Sequence, residues 1–160
     1  MIISPDNLAG IRTSHKGKKI VLTSGTFDLF HVGHLNYLQA VKAYGDVVVV
    51  MLSGDTRVQT RKGTGRPIFP QNERAKILDS LKVVDYVFID PGNGTRDHID
   101  LVYNDILTNL QPDIYATDGE DIRLSKIIDK SKYVILPRTA GGKYASTSAI
   151  IEHIAKLNQG

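Results

Sequence analysis

The amino-acid sequence predicts an α/β protein: a single doubly wound domain on a mainly parallel, five-stranded sheet. Three features carry that expectation. Short β-branched, apolar runs alternate along the chain with segments of helical spacing. One run, Asp46 to Ser53, contains four consecutive valines, the unbroken apolar pattern of a strand buried on both faces. Each run stops at a turn or polar cluster, as strands do.

In chain order, the expected strands are Lys19–Ser24, Asp46–Ser53, Asp85–Asp90, Asp113–Thr117 and Lys132–Leu136. The helices between them are read from apolar residues recurring at three or four positions. His34–Tyr44 places Leu35 and Leu38 one turn apart, and Gln71–Lys82 gathers Ile77, Leu78 and Leu81. Asp100–Leu110 aligns Tyr103, Ile106, Leu107 and Leu110 on one face, and a shorter helix over Ile122–Lys130 carries Leu124, Ile127 and Ile128. The last helix, Ser146–Leu157, opens on hydroxyl residues suited to capping and is expected to bury Ile150, Ile151, Ile154 and Leu157. Residues 1–17 read as a short helical or irregular arm ahead of a domain over 18–160, and neither a repeat nor a break in composition marks a second domain.

Composition excludes several classes of function. The 160 residues contain no Cys, which removes disulfide frameworks, thiolate metal sites and thiol nucleophiles. The longest apolar run, Val47–Leu52, is far too short for a membrane span, and the first residues show no apolar signal core, so a cytoplasmic protein without a membrane partner is expected. The net charge of +3 is mild, and the basic residues are scattered apart from Arg12–Lys19 and Arg57–Arg66. No basic stripe calls for nucleic acid, and a small anionic substrate accounts for the excess equally well.

Right-handed crossovers place the loops leaving the strand C-termini along one ligand-binding edge. The first such loop reads Gly25-Thr26-Phe27-Asp28-Leu29-Phe30-His31-Val32-Gly33-His34. Gly25 lets backbone approach a ligand, and His31 and His34 stand at a helix opening, whose free N–H groups and dipole favour phosphate. Two imidazoles there add donors for phosphoryl oxygens; the plainer reading is an ordinary pair of surface or core histidines. Zinc is disfavoured, because the pair lacks both the Glu of His-Glu-x-x-His and any Cys. The second loop, Arg57–Pro67, reads as a mobile basic segment whose lysine can swing over a triphosphate, or simply as a solvated charge run. The third, Thr117–Asp121, is acidic and suits a metal, hydroxyl recognition or a helix cap. In the fourth, Arg138 offers a fork of donors, and Ser146-Thr147-Ser148 brings hydroxyls to the opening of the last helix.

The first loop resembles the signature of the cytidylyltransferase-like nucleotidyltransferases, a family with a Rossmann-like fold and a His-x-Gly-His motif. The resemblance covers about residues 19–157. The family includes glycerol-3-phosphate, choline-phosphate and ethanolamine-phosphate cytidylyltransferases, heptose-phosphate adenylyltransferases and archaeal FAD synthases. It implies catalytic roles for His31, His34 and Lys62. It implies nucleotide contacts for Gly25, Thr26, Phe27, Gly33, His34, Lys62, Glu120, Arg138, Thr139, Ser146 and Thr147, and acceptor contacts for Asp28, Arg74 and Asp118. Asp118 stands where relatives carry a glycine, and four residues separate Gly141 from Ser146 where relatives have one.

The activity so implied is transfer of a nucleoside monophosphate from a nucleoside triphosphate to a phosphorylated small molecule, a phospho-alcohol or phosphosugar, with release of pyrophosphate. Mg²⁺ would bridge the phosphates, no protein metal site is expected, and the family implies a homodimer. Arg138-Thr139 and the Ser-Thr-Ser helix start lean toward CTP, and Lys62 to Arg74 toward ATP with a heptose-phosphate or flavin acceptor. CTP is favoured. The alternatives are an ATP-dependent adenylyltransferase, a nucleotide-binding regulatory module without turnover, and, with least support, an RNA-binding relative of class I synthetases.

Overall fold

The computed structural model of the protein describes residues 1–90, 92, 95–119, 128–136 and 146–158. A 3-10 turn (Pro5–Asn7) leads into α1 (Leu8–Ser14). The chain continues through β1 (Ile20–Gly25), α2 (Val32–Lys42), β2 (Val47–Ser53), α3 (Asp55–Lys62) and α4 (Gln71–Asp79). It then forms β3 (Tyr86–Asp90), α5 (Arg96–Asn109), β4 (Ile114–Thr117), a 3-10 turn (Lys130–Lys132), β5 (Tyr133–Ile135) and α6 (Thr147–Leu157). The strands form one sheet in the order β3-β2-β1-β4-β5, and every neighbouring pair is parallel. This is the doubly wound fold expected from the sequence.

The valine run explains why β2 is central. All of its residues are buried, and they alternate between two cores. Val47, Val49 and Met51 face one side, and Val48, Val50 and Leu52 the other, following the two-residue period of the pleat. On the first side, Leu8 and Ile11 of α1, Val102, Tyr103 and Ile106 of α5, and Leu110 at the end of that helix close over Leu22, Phe88 and Tyr115. On the second, Tyr37, Leu38 and Val41 of α2 and Ala75 and Leu78 of α4 pack on Val21, Val87 and Ala116. A Cβ on Gly54 would lie 2.7 Å from the carbonyl oxygen of Asp90, so only glycine lets the ends of β2 and β3 close together.

The 1–17 arm belongs to this packing. Ile3 N–H donates to Val87 O (2.9 Å) and Val87 N–H to Met1 O (3.0 Å), adding a parallel bridge outside β3. Arg12 donates to Asp113 (2.8 Å), which also accepts the N–H of Ile20 (2.8 Å). Burial would raise the Asp113 carboxyl, but Arg12 and the Ile20 N–H outweigh it and hold it below the usual carboxylate range.

Three features differ from the sequence reading. The mobile basic loop expected over Arg57–Pro67 is helical as far as Lys62: Asp55 at the start of α3 and Arg61 and Lys62 at its end complement the dipole. Only Val58 and Arg57 of this helix are buried, so its sequence shows no apolar period. The α6 stripe does not enter either core: no residue of the helix is buried, and Ile154 and Leu157 are 50% and 67% exposed. Its first turn is fixed at the ligand edge, and its later turns run away from both cores. Finally, α5 begins at Arg96 rather than Asp100. Residues 122–127 of the expected fourth helix lie outside the described residues. Among the described residues no helix is long and apolar enough to cross a membrane.

Leu22 is fully buried in the central strand and Leu101 is 66% exposed on α5. Leu22→Ala is therefore expected to cost about 2–5 kcal/mol of stability and Leu101→Ala less than about 0.5 kcal/mol, both measured by urea unfolding.

Candidate functional site

The strand order reverses direction at β1. From there the chain moves to β2 and β3 on one side, and returns through α5 to β4 on the other. The loops leaving β1 and β4 diverge at this point, and a cleft of about 710 Å³ opens between them. Its walls come from the β1 loop, the starts of α2 and α6, the inner face of α3 and the turn after β4.

The β1 loop is held in a strained shape. Phe27 and Leu29 have positive φ values of 49° and 45°, a region costly for non-glycine residues. Asp28 between them is 1% exposed. Its carboxylate accepts the N–H groups of Leu29 (3.1 Å), Ile68 (3.0 Å) and Phe69 (3.0 Å), and the Nε of Arg66 (3.0 Å). Burial alone would raise the Asp28 carboxyl; the Ile68 and Phe69 N–H groups and the Arg66 guanidinium outweigh it and keep it below the usual range, hence charged. From the other end, Thr147 Oγ1 of α6 donates to Asp28 O (2.8 Å).

Arg74, 1% exposed, completes this clasp. It donates to Thr26 O (2.6 Å), Phe69 O (2.9 Å) and Asp55 Oδ1 (2.7 Å), linking α4 to the β1 loop and to the start of α3. Asp28 lines the cleft, yet its oxygens face its own chain, and Arg74 does not line the cleft. Both shape the site from behind.

His31 sits at the N-cap position of α2 and His34 in its first turn. Their rings stack 3.7 Å apart at 21°, and the Nδ1 atoms of both are buried with no hydrogen-bond partner. Phe27 and Phe30 pack on His34 at 5.3 and 5.5 Å between centroids. Burial, followed by the neighbouring His31 and Lys62, pushes His34 down to about 4, against the pull of Asp118 and Asp28; burial also lowers His31. Both rings are therefore neutral near pH 7, each carrying one N–H. Both histidines line the cleft at a helix N-terminus, a setting suited to an anion.

The opposite wall is cationic. α3 turns Arg57 and Arg61 inward at i, i+4 spacing, with Lys62 at its last turn. Arg61 donates to Thr26 Oγ1 (2.7 Å), and Arg57 forms a buried ion pair with Asp90. Across the cleft, Thr117, Asp118 and Gly119 make a turn in which Thr117 Oγ1 donates to Gly119 O (3.0 Å). Ser146 caps α6 by accepting the N–H of Ala149 (3.2 Å). Ser24, Tyr37, Tyr103 and Tyr115 form the floor.

The cleft thus gathers Gly25, Thr26, Phe27, Asp28, His31, Gly33, His34, Lys62, Asp118, Ser146 and Thr147, residues singled out from the sequence. Glu120, Arg138 and Thr139 lie outside the described residues. The sequence reading missed Arg57, Arg61, Tyr103 and Tyr115 as lining residues. For the two arginines the i, i+4 spacing was a usable signal once the segment is read as helix; for the tyrosines, which look like core, there was none. Among the described residues no cluster of His, Asp or Glu could hold a metal ion.

A family model described as cytidylyltransferase-like matches residues 22–154. A "Bifunctional protein HldE" from a Nitratiruptor species is 40% identical over 141 residues, covering 87% of this chain and 28% of that protein. The same name from Helicobacter pylori (strain G27) is 39% identical over 143 residues, 89% of this chain and 29% of that protein. The chain thus spans less than a third of the length of these curated relatives. Among solved structures, the lipopolysaccharide core biosynthesis protein from Thermoplasma volcanium GSS1 is similar at 28% identity with a TM-score of 0.55, over 74% of this chain and 93% of that one. A strained glycine-led loop, a stacked histidine pair at a helix start and a family match across the same segments agree: the chain belongs to the cytidylyltransferase-like family of nucleotidyltransferases.

Proposed function

We propose that the protein is an adenylyltransferase that joins AMP from ATP to a sugar phosphate and releases pyrophosphate. The observation that carries the transferase reading is the stacked, neutral His31–His34 pair at the start of α2, its Nδ1 atoms unpartnered, facing Arg61 and Lys62 across the cleft. ATP is preferred over CTP, reversing the lean of the sequence. Residues 62–74, which resemble the heptose-phosphate branch, supply Lys62 to the cationic wall and Arg66, Ile68, Phe69 and Arg74 to the clasp, and relatives similar over most of the chain share the name Bifunctional protein HldE. The name of the Thermoplasma volcanium relative, a lipopolysaccharide core biosynthesis protein, supports a sugar acceptor.

In the proposed reaction an oxygen of the acceptor phosphate attacks the α-phosphorus of ATP. A new P–O bond forms, the bond from the α-phosphorus to the bridging oxygen breaks, and pyrophosphate leaves with that electron pair. The acceptor phosphate is already an anion near neutral pH, so the site needs no strong general base. Catalysis then rests on positioning and on donors placed where negative charge grows. His31 and His34 donate to the α-phosphoryl oxygens, and Lys62 neutralises the departing pyrophosphate. The hydroxyls of Thr26, Ser146 and Thr147 and the backbone at Gly25 and Gly33 seat the nucleotide. Magnesium would enter as part of the MgATP substrate and offset charge on its phosphates.

Pyrophosphate release measured with MgATP and MgCTP against a panel of sugar phosphates is expected to be faster with ATP. Faster release with CTP would restore the cytidylyl reading, and silence from both nucleotides would overturn the transferase reading. His34→Ala is expected to lower turnover by roughly 10² to 10³ while leaving the fold intact; wild-type turnover would remove the pair from the mechanism. The third expectation concerns acid. The folded pKa of His34, about 4, lies below the unfolded value of 6.5, so the unfolded chain binds more protons between them. Stability contributed by neutral His34 is complete above pH 6.5 and is lost as pH falls toward 4. The thermal midpoint of His34→Asn should decline less over that window than that of the wild type; equal declines would contradict it.

A further inference from the structure

One part of the cleft makes none of the nucleotide contacts just described. On the α5 side its floor is made by Ser24 and Ser53 at the ends of β1 and β2, Tyr115 of β4, Tyr103 of α5 and Arg57 of α3. Ser24, Tyr115, Tyr103 and Arg57 form a connected polar layer where an apolar core would otherwise continue, and Ser53 borders the cleft beside them. The Tyr115 hydroxyl bonds Ser24 Oγ (2.6 Å) and stands 3.3 Å from the Tyr103 hydroxyl. Arg57 lies over the Tyr103 ring, 5.9 Å from its centroid, and Nη1 donates to Asp90. Asp90 is itself fixed by the N–H of Gly92 (2.8 Å) and is 2% exposed. Asp90 does not line the cleft, but Arg57, which it orients, does.

Burying an ion pair is costly, and well-packed apolar residues usually serve stability as well or better. A guanidinium aimed by a hidden carboxylate and backed by an aromatic ring is a preorganised anion receptor, because its fork is set before the ligand arrives. The surrounding hydroxyls both donate and accept, which suits a polyol and leaves an apolar ligand with unmatched partners. An ammonium headgroup would meet Arg57 and Arg61 together and be repelled.

Resting on the transferase reading above, we propose that Arg57 and the Ser24 and Ser53 hydroxyls form the acceptor subsite, with Tyr103 and Tyr115 buried behind them as its support. Arg57 receives the phosphate of a sugar phosphate, the two serine hydroxyls exchange hydrogen bonds with the sugar, Tyr115 orients Ser24, and Asp90 acts as a positioning residue that fixes the fork.

Calorimetric titration reads this subsite without turnover, using a panel of hexose and heptose 1-phosphates and, separately, a non-hydrolysable ATP analogue. At least one sugar phosphate is expected to bind the wild type. Arg57→Gln combined with Asp90→Asn removes both buried charges together, and should weaken that ligand on the order of 10- to 100-fold while leaving ATP-analogue affinity within about 2-fold. Arg57→Lys, which keeps the charge and loses the fork, should fall between. Ser53→Ala, a smaller change that any fold tolerates more readily, should weaken the sugar phosphate by about 3- to 10-fold. In turnover, the same variants should raise the acceptor KM with little change in ATP KM. The proposal is overturned if no sugar phosphate binds the wild type, if Arg57→Gln/Asp90→Asn and Ser53→Ala bind it unchanged, or if both ligands weaken equally. Sugar phosphate binding that depends on Arg57 without pyrophosphate release would support the subsite and sink the transferase reading. Release with acceptor affinity untouched by these variants would do the opposite.

Discussion

Burying the charged carboxylate of Asp28 carries a desolvation penalty of several kcal/mol, and the cleft exists in its present shape because donors from distant parts of the chain offset it. Backbone N–H groups of Ile68 and Phe69 and the Arg66 side chain converge on Asp28, while Thr147 fastens its carbonyl to α6. The same contacts hold Phe27 and Leu29 at positive φ, conformations that would relax if the clasp were absent. Arg74 repeats the device one layer deeper, tying Thr26, Phe69 and Asp55 together. The β1 loop, the 66–69 segment, α3 and α6 are thus one mechanical unit, although they are far apart in sequence.

That unit sets the electrostatics of the site. The clasp keeps the β1 loop against α2, so Phe27 and Phe30 crowd His34 and remove water from it. Desolvation makes the imidazoles neutral, and their close stacking makes a doubly charged pair unfavourable. In the proposed reaction a phosphate arriving there would reverse that balance, because negative charge favours the imidazolium that burial opposes. Positive charge in the free protein is concentrated instead on α3, where Arg57 is stabilised by Asp90 and Arg61 borders Thr26. The cleft therefore has a neutral side and a cationic side, a division that suits the proposed transfer between two phosphates.

Much of this was legible in the residues before any coordinates. The valine run dictated a central strand, because continuous β-branched residues flanked by turns pack on both faces of a parallel sheet. The Tyr103–Ile106–Leu110 period placed α5, and the ten residues from Gly25 to His34 located the loop that lines the cleft. The helix around Lys62 was hidden, since α3 buries only Arg57 and Val58 and no apolar rhythm announces it. In α6 the rhythm was present but misleading: Ile154 and Leu157 show the correct spacing and remain exposed, because periodicity reports a face without saying what covers it.

By itself the sequence determined which strands exist, that they run parallel around a doubly wound core, and that a glycine-led loop with two histidines faces the ligand edge. Those properties follow from local chemistry: side-chain branching, the period of a strand or helix, and the free N–H groups of a helix start. Only the tertiary structure decided that Asp28 and Arg74 act on their own chain, that the histidines stack and lose their charge, and that Arg57, Tyr103 and Tyr115 reach the cleft. These depend on partners remote in the chain, 48 residues apart for Arg74 and Thr26 and 33 for Arg57 and Asp90, or on the exclusion of water by several elements at once. Hydrogen bonding and burial at that range are properties of the packed chain, and no local pattern encodes them.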